Sequence, residues 1–572
     1  MLSKEKLLKD PFETDEDVID PNTDHGKEVL SQPPATRWEL WSYYLYYNGN
    51  NGYALYSFLP TLLQYLAQKG GFNPTVEGHP PCSLNISNEA PCNVPWLNMP
   101  DGIPVVSMLM YVTAISFGIQ FLLFTTFGSL ADYGRYNHYI LITATLISCT
   151  AQILTILFVN NDGSGWSGMM VLNIVAMIFY GVSLVFYAAA FPSLSDNLPL
   201  VRSVRANRSI SVDETQNVVE KWRNHVSAIS TTFSNIGFLV LSAIFSGIAF
   251  IPWSQGPFLN DDHEFGNTAL YYFIATVTCA GYWLVFSIPY FICRPVGRRG
   301  PPLPATENHL TIGWKSIFKA LKEAKKYRYL FMYFFSYFMF SDGVNAISTM
   351  QMYIQNDITS FSATQTVVQG LITAITSIVG CFFFLFLSKK FNVSTKANLM
   401  TIVIATGIIP VWGCFGIGLD NFGMKKQWEL WILSAWSGFF TAPIWAWQQT
   451  LLSELIPAGK ENMFFGMFGI VNKASSWIGA TAIGAVTQQT ANAYYGWLII
   501  AFLFLSATII LYFVDVEAAK LEMLHMEIQQ ELTTSSTAIS STLPATGEVG
   551  SLEKVELIEQ EDMKSTNSQQ NH

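Results

Sequence analysis

Two ionisable side chains stand inside long apolar stretches of this sequence: Asp342 in FMFSDGVNAISTM and Lys473 in FFGMFGIVNKASSWIGATAIG. A charge at the centre of a bilayer costs roughly 3 kcal/mol or more, so each marks a functional position by default. At helical spacing Asp342 shares a face with Asn345 and Thr349, and Lys473 shares one with Gly466, Gly469, Ser476, Ala480 and Gly484. Those small neighbours leave room for another helix or for a ligand. Two readings are open. Asp342 and Lys473 pair with each other and hold helices together, although a buried pair stabilises poorly compared with apolar packing. Alternatively Lys473 meets the carboxylate of a bound solute while Asp342 carries a proton or meets an ammonium group, a role favoured by the cost of burying a charged carboxylate.

Further polar stripes run along other apolar segments. The stretch YYLYYNGNNGYALY, residues 43–56, carries Asn48, Asn50 and Asn51 together with Gly49 and Gly52. On a regular helix Asn48 and Asn51 share a side with Tyr44, Gly52 and Leu55, while Asn50 lies about 160° from Asn48 beside Tyr43, Tyr46 and Tyr53. Tyr44, Asn48 and Asn51 are therefore expected to face a cavity, and Asn50 to pack against a neighbour. Asn173, Tyr180 and Tyr187 form another stripe, and Ser437, Thr441, Trp445 and Gln448 a fourth. The sequence shows no nucleotide-binding glycine loop, metal-ligand cluster or nucleophile elbow, and its eight histidines are scattered. It reads as neither an enzyme nor a nucleic-acid binder, with no metal and no cofactor.

The elements that position these residues are membrane spans. Only 13% of the 572 residues are charged and 50% are hydrophobic, against about 25% charged in a soluble domain. Spans of about 20 apolar residues are expected near 40–66, 104–130, 138–159, 168–191, 226–250, 268–292, 329–351, 366–388, 398–418, 429–451, 464–487 and 494–514. The expected organisation is an acidic, disordered tail (1–37), a six-helix bundle (38–293), a basic amphipathic linker (294–328), a second six-helix bundle (329–514) and a second acidic tail (515–572). The polar stripes fall on spans one, four, seven and ten. The net charge of −10 belongs to the tails, which carry −12 between them and leave the body at +2.

Lysine and arginine accumulate in cytoplasmic loops. With the N-terminus in the cytosol, nineteen bases fall on cytoplasmic loops and three on the opposite loops, so both termini are expected to be cytosolic. Cys82 and Cys92 then share a non-cytoplasmic loop with the sequon at Asn85, where a disulfide and a glycan are chemically allowed. The sequons at Asn207 and Asn392 face the cytosol. Within the linker, GWKSIFKALKEAKKYRYL sets Trp314, Ile317, Phe318 and Leu321 opposite Lys315, Lys319, Lys322 and Lys326. Such a helix can lie on the inner leaflet or serve as a solvated connector.

The turn FGSLADYGRY, with Gly128, Asp132, Gly134 and Arg135, resembles the G-x-L-A-D-x-x-G-R signature of the major facilitator superfamily, with one residue fewer between Asp132 and Gly134. Its carboxylate and guanidinium at helix ends could latch and release two bundles. Longer stretches resemble one branch of that superfamily, the fungal autophagy-related vacuolar effluxers. They are RWELWSYYLYYNGNNGYALYSFLPTLLQ at 37–64, GSLADYGR at 128–135, KKYRYLFMYFFSYFMFSDGVNAI at 325–347, SELIPAGKENMFFGMFGIVNKASSWIGA at 453–480, and the loop PCSLNISNEAPCNVP. The resemblance implies a major facilitator fold with twelve transmembrane helices in two six-helix bundles, sited in the vacuole membrane. It implies export of neutral, leucine-like amino acids from the vacuole lumen to the cytosol, and the Asp342 reading adds protons as a further expected partner. Asp342, Lys473, Asn48 and Asn51 become transport-path candidates, with Tyr44, Tyr180, Asn345, Trp445 and Gln448 completing the expected solute site. The alternatives are a plasma-membrane carrier of another small solute and a transport-inactive nutrient sensor or scaffold.

Overall fold

The computed structural model describes residues 29–82, 92–96, 99–159, 163–207, 210–250, 265–295, 297–304, 307–322, 327–354, 363–419, 421–457, 460–475 and 492–523, and a few isolated positions. The chain begins its first apolar segment with helix α1, Arg37–Gly49, capped by the Thr36 hydroxyl, which accepts from the Glu39 N–H at 3.1 Å. The helix stops at Asn50. Residues 50–52 are non-helical, with Gly52 at φ 74°, and a π-turn, Ala54–Phe58, leads into α2, Leu59–Lys69. The first expected span is therefore a broken helix. A side chain at Gly237 would meet the Asn48 carbonyl at 2.0 Å, so that glycine permits the close approach of the broken end.

Beyond α2 lies a small cap, in which strands β1, Asn93–Trp96, and β2, Met99–Pro104, pair antiparallel. Phe72 bridges to Pro81 and Asn93, and Cys82 and Cys92 are joined as a disulfide. Asn85 lies outside the described residues. The first bundle continues with α3 (Val105–Phe127), α4 (Tyr136–Leu154), α5 (Trp166–Asp196), the short α6 (Pro199–Ala206), α7 (Val212–Phe250) and α8 (Phe265–Cys293). After the linker helix α9 (Ile312–Lys322) come α10 (Arg328–Tyr353), α11 (Ala363–Phe391), α12 (Thr395–Cys414), α13 (Gln427–Leu455), α14 (Glu461–Ser475) and α15 (Gly496–Phe513).

Among the described residues, eight helical stretches are long and apolar enough to cross a membrane. The other four expected spans fall on the broken α1–α2 segment, on α10 and α13 with their tyrosines, tryptophans and amides, and on α14, described only to Ser475. Apolar side chains turn outward along the spans: Leu157, Ile292 and Phe502 are each more than 60% exposed, as a lipid-facing surface requires. Inside, buried tyrosines find partners. The Tyr46 and Thr145 hydroxyls lie 2.7 Å apart, and the Tyr333 hydroxyl donates to the Gln448 carbonyl at 2.8 Å. Between bundles, α7 packs on α11 and α13, and α14 packs on α3 and α5.

Two segments differ from expectation. Residues 29–36, placed by composition in the solvated tail, are strapped to the first bundle and linker. The Ala35 N–H donates to the Asn197 carbonyl at 2.8 Å, Arg202 to the Gln32 carbonyl at 2.5 Å, and Arg298 to the Pro33 carbonyl at 3.2 Å while pairing with the buried Glu39. These contacts outweigh a polar composition. The amphipathic linker helix α9 is not merely surface-bound either, since Trp314 donates to the Thr126 hydroxyl at 3.2 Å. Gly313 sits so close to α3 that a Cβ would meet the Thr125 carbonyl at 2.1 Å. Contacts divide the chain after Ala519, and of the part from Lys520 onward residues 520–523 are helical.

Gly313→Ala is expected to push α9 off α3 at a cost of about 1–3 kcal/mol. A lower melting temperature and faster proteolysis between residues 294 and 328 would register it, and an unchanged melt would show that α9 is not anchored by this contact.

Candidate transport site and linker-side latch

Hydrogen bonds that cross between the bundles gather, among the described residues, at the end of the molecule nearest the linker. The first turn of α14 exposes N–H groups that have no intrahelical acceptor. Asp132, in the turn after α3, accepts the N–H groups of Asn462 at 2.7 Å and Met463 at 3.1 Å, and the Asn462 side-chain amide at 2.9 Å. Gly128 packs against the start of α14, with the Asn462 carbonyl 3.5 Å from where a Cβ would stand. Gly134, at φ 49°, donates to the Pro301 carbonyl at 3.0 Å and accepts from the Gly300 N–H at 2.8 Å, tying the turn to the linker. Arg135 lies over the Tyr139 ring.

The guanidinium that crosses the bundles is therefore Arg223, which sequence reading did not single out. It grips Asp196 through two bonds at 2.9 and 2.6 Å and donates to the Ser453 carbonyl at 2.8 Å. Nearby, Asn224 donates to the Thr395 hydroxyl at 2.7 Å, and the Thr395 N–H donates to Glu220 at 2.6 Å. Arg294 reaches the same latch through Asn137, which donates to the Asn462 side chain at 2.5 Å.

Above this closed end, between the bundles, is a cavity of about 440 Å³. Of the expected site residues, Asn51, Tyr180, Asn345, Trp445 and Gln448 line it. Tyr44, Asn48 and Asp342 do not. Asn48 instead donates to the Phe233 carbonyl at 2.8 Å and accepts from the Tyr282 hydroxyl at 2.5 Å, joining α1 to α7 and α8. Tyr44 is buried against Phe233. The expected assignment of the asparagines is thus altered: Asn50 lines the cavity and Asn48 packs, because the helix ends at Gly49 and a regular wheel does not describe residues 50–52.

Asp342 is 1% exposed and accepts the Gly479 N–H at 3.0 Å through one oxygen, while the other has no hydrogen-bond partner. The backbone of Lys473 continues α14, but its side chain lies outside the described residues, as does that of Thr349. The glycine face beside Lys473 is partly explained by helix packing. A side chain at Gly469 would run into Val185 of α5 and Phe124 of α3, whereas one at Gly466 would meet Phe124 only at ordinary contact distance. Ser476, Ala480 and Gly484 are outside the described residues.

The cavity wall carries seven carboxamides, among them Asn235, Gln449 and Asn472, which sequence reading missed. Their signal was weak, since α7 reads as a moderately polar helix with no charge at that depth. Two amide atoms at the wall are buried without a protein partner, Oδ1 of Asn50 and Nδ2 of Asn235. Asn50 otherwise donates to the Ser183 hydroxyl at 3.1 Å. Among the described lining residues none is charged.

A family profile described as "Vacuole effluxer Atg22 like" matches residues 35–524. The chain belongs to this family. Autophagy-related protein 22 of Eremothecium gossypii is 24% identical over 83% of this chain and 90% of its own length. That of Candida glabrata is 24% identical over 91% and 97%. Among solved structures, the major facilitator superfamily transporter FucP in the outward conformation superposes with a TM-score of 0.55 at 12% identity, covering 84% of this chain and all of FucP. The human organic anion transporter MFSD10 gives 0.52 at 12%, covering 83% of this chain and 99% of its own. The fold of this Atg22-like effluxer is that of the major facilitator superfamily, and the chain is a multi-pass membrane transporter rather than an enzyme.

Charge-assisted hydrogen bonds contribute about 1.5–3 kcal/mol each, so Asp132→Ala is expected to shift the balance of closed and open latch by tenfold or more. Alkylation of an Ala190→Cys reporter on the linker side measures this. An unchanged labelling rate in the Asp132→Ala background would show that Asp132 is not the latch.

Proposed function

We propose that this effluxer exports neutral amino acids from the vacuole lumen to the cytosol by alternating access of the central cavity. The observation that carries the reading is the pair of unpartnered amide atoms on an otherwise uncharged wall. A zwitterion brings a carboxylate that needs donors and an ammonium that needs acceptors. Asn235 Nδ2 supplies a donor and Asn50 Oδ1 an acceptor, while the surrounding rings suit an apolar side chain. A solute of net charge would find no compensating ion among the described lining residues.

Lys473 follows Asn472, which lines the cavity, and we assign it as an additional counter-ion to the carboxylate. Asp342 is the proton carrier. Ionised, it would hold a buried charge with one protein hydrogen bond, so taking up a proton from an acidic lumen relieves a real cost. The bias of nineteen bases against three supports cytosolic termini and a linker on the cytosolic side. The latch then closes the cytosolic exit, and its release is the export step.

Efflux from proteoliposomes, with a panel of amino acids at two lumenal pH values, tests these parts separately. Leucine-like solutes are expected to leave faster than charged ones, and faster from an acidic lumen. If no neutral amino acid is carried, the function is wrong; if lumenal pH has no effect, the role of Asp342 is wrong. Asn50→Ala and Asn235→Ala should each raise KM by about tenfold to a hundredfold, the worth of one hydrogen bond to a charged group. Lys473→Ala should abolish efflux while the protein still folds, and normal efflux from that variant would remove the counter-ion.

A further inference from the structure

A second cavity, of about 290 Å³, lies on the linker side of the latch and shares no lining residue with the transport cavity. Five arginines converge on it: Arg135, Arg205, Arg294, Arg298 and Arg299. Three acids also line it, but two are engaged elsewhere. Asp132 is held by the first turn of α14, and Asp196 is held by both arms of Arg223.

Buried nitrogens at this wall are left without partners. Arg298 is 8% exposed and pairs with Glu39 through one arm, yet its Nε makes no hydrogen bond. His138 is 7% exposed, lines the cavity, and has no partner at Nδ1. Arg294 donates to the neutral Asn137 side chain at 2.6 Å rather than to a carboxylate. An unmet buried donor such as Arg298 Nε carries a cost that a ligand oxygen removes, and the positive side chains converging on the cavity favour an anion there.

We propose that this cavity binds a phosphate-bearing anion. Arginine presents paired N–H donors whose spacing matches two oxygens of one phosphate. The walls come from the first bundle through Arg135 and His138, from the linker through Arg294, Arg298 and Arg299, and from the start of α14 through Asn462. These parts meet only while the latch is closed, so the bound anion holds the linker-side exit shut. The same chemistry can come from a free phosphate compound or from a phosphorylated lipid headgroup.

The test uses the full chain in nanodiscs of neutral lipid, titrated with pyrophosphate at constant ionic strength, with chloride as the control. Saturable binding and a raised melting temperature are expected. Affinity should fall by tenfold or more in the Arg294→Gln/Arg299→Gln double variant, and stay unchanged in Lys396→Gln, outside the cavity. If the double variant fails to fold, Arg135→Gln/Arg205→Gln removes charge from the other wall and reads the same loss. Nanodiscs containing a phosphatidylinositol phosphate form the second arm: saturable stabilisation there, lost in the same variants, with no response to pyrophosphate assigns the anion to a headgroup. Stabilisation equal to that by chloride in both arms, or binding unaffected by either double variant, overturns the site.

Discussion

A helix that starts inside a protein leaves its first N–H groups without acceptors, and where water is scarce another part of the chain must meet them. The second bundle presents such a start at Glu461, and the acceptor, Asp132, belongs to the first bundle. Much of the architecture depends on that contact. Gly469 removes a side chain that would hold α14 off α3 and α5. Gly134 hands the turn to the linker, and Asn137 carries the contact on to Arg294. Closing the bundles at this end leaves the space between them as the central cavity.

The cavity depends on a second device, the broken first helix. Unpaired backbone at membrane depth is tolerated where it is buried in protein or lines a cavity, and residues 50–52 do so. The break places Asn50 and Asn51 together at the cavity wall. Asn51 stabilises the non-helical turn, donating to the Asn48 carbonyl at 3.0 Å and accepting the Tyr53 N–H at 3.0 Å. The asparagine run thus serves helix packing through Asn48, turn closure through Asn51 and the cavity wall through Asn50.

Buried acids elsewhere show the same economy of backbone and charge. Glu429 is fully buried and accepts the N–H groups of Gly423, Lys425 and Lys426 and the Trp412 indole N–H, at 2.8–3.0 Å. Glu39 is held by Arg298 from the linker. Both lie at helix ends, where a charge in the sequence reads as ordinary loop polarity, and neither could be distinguished from a solvated residue without its partners.

The membrane character of the chain and the outline of its spans were legible from apolar run length, because the thickness of a bilayer imposes that length on any sequence that crosses it. The turn around Asp132 was legible too, from a short motif in which Gly134 takes the left-handed conformation of a tight turn. The tertiary structure alone decided which of Asn48 and Asn50 faces the cavity, that Arg223 and not Arg135 crosses between bundles, and that residues 29–36 leave the tail to pack on the linker. Periodicity assigns faces only while a helix is unbroken, and charge partners hundreds of residues apart have no sequence spacing to reveal them. What a side chain does at such places depends on which surface folding brings against it.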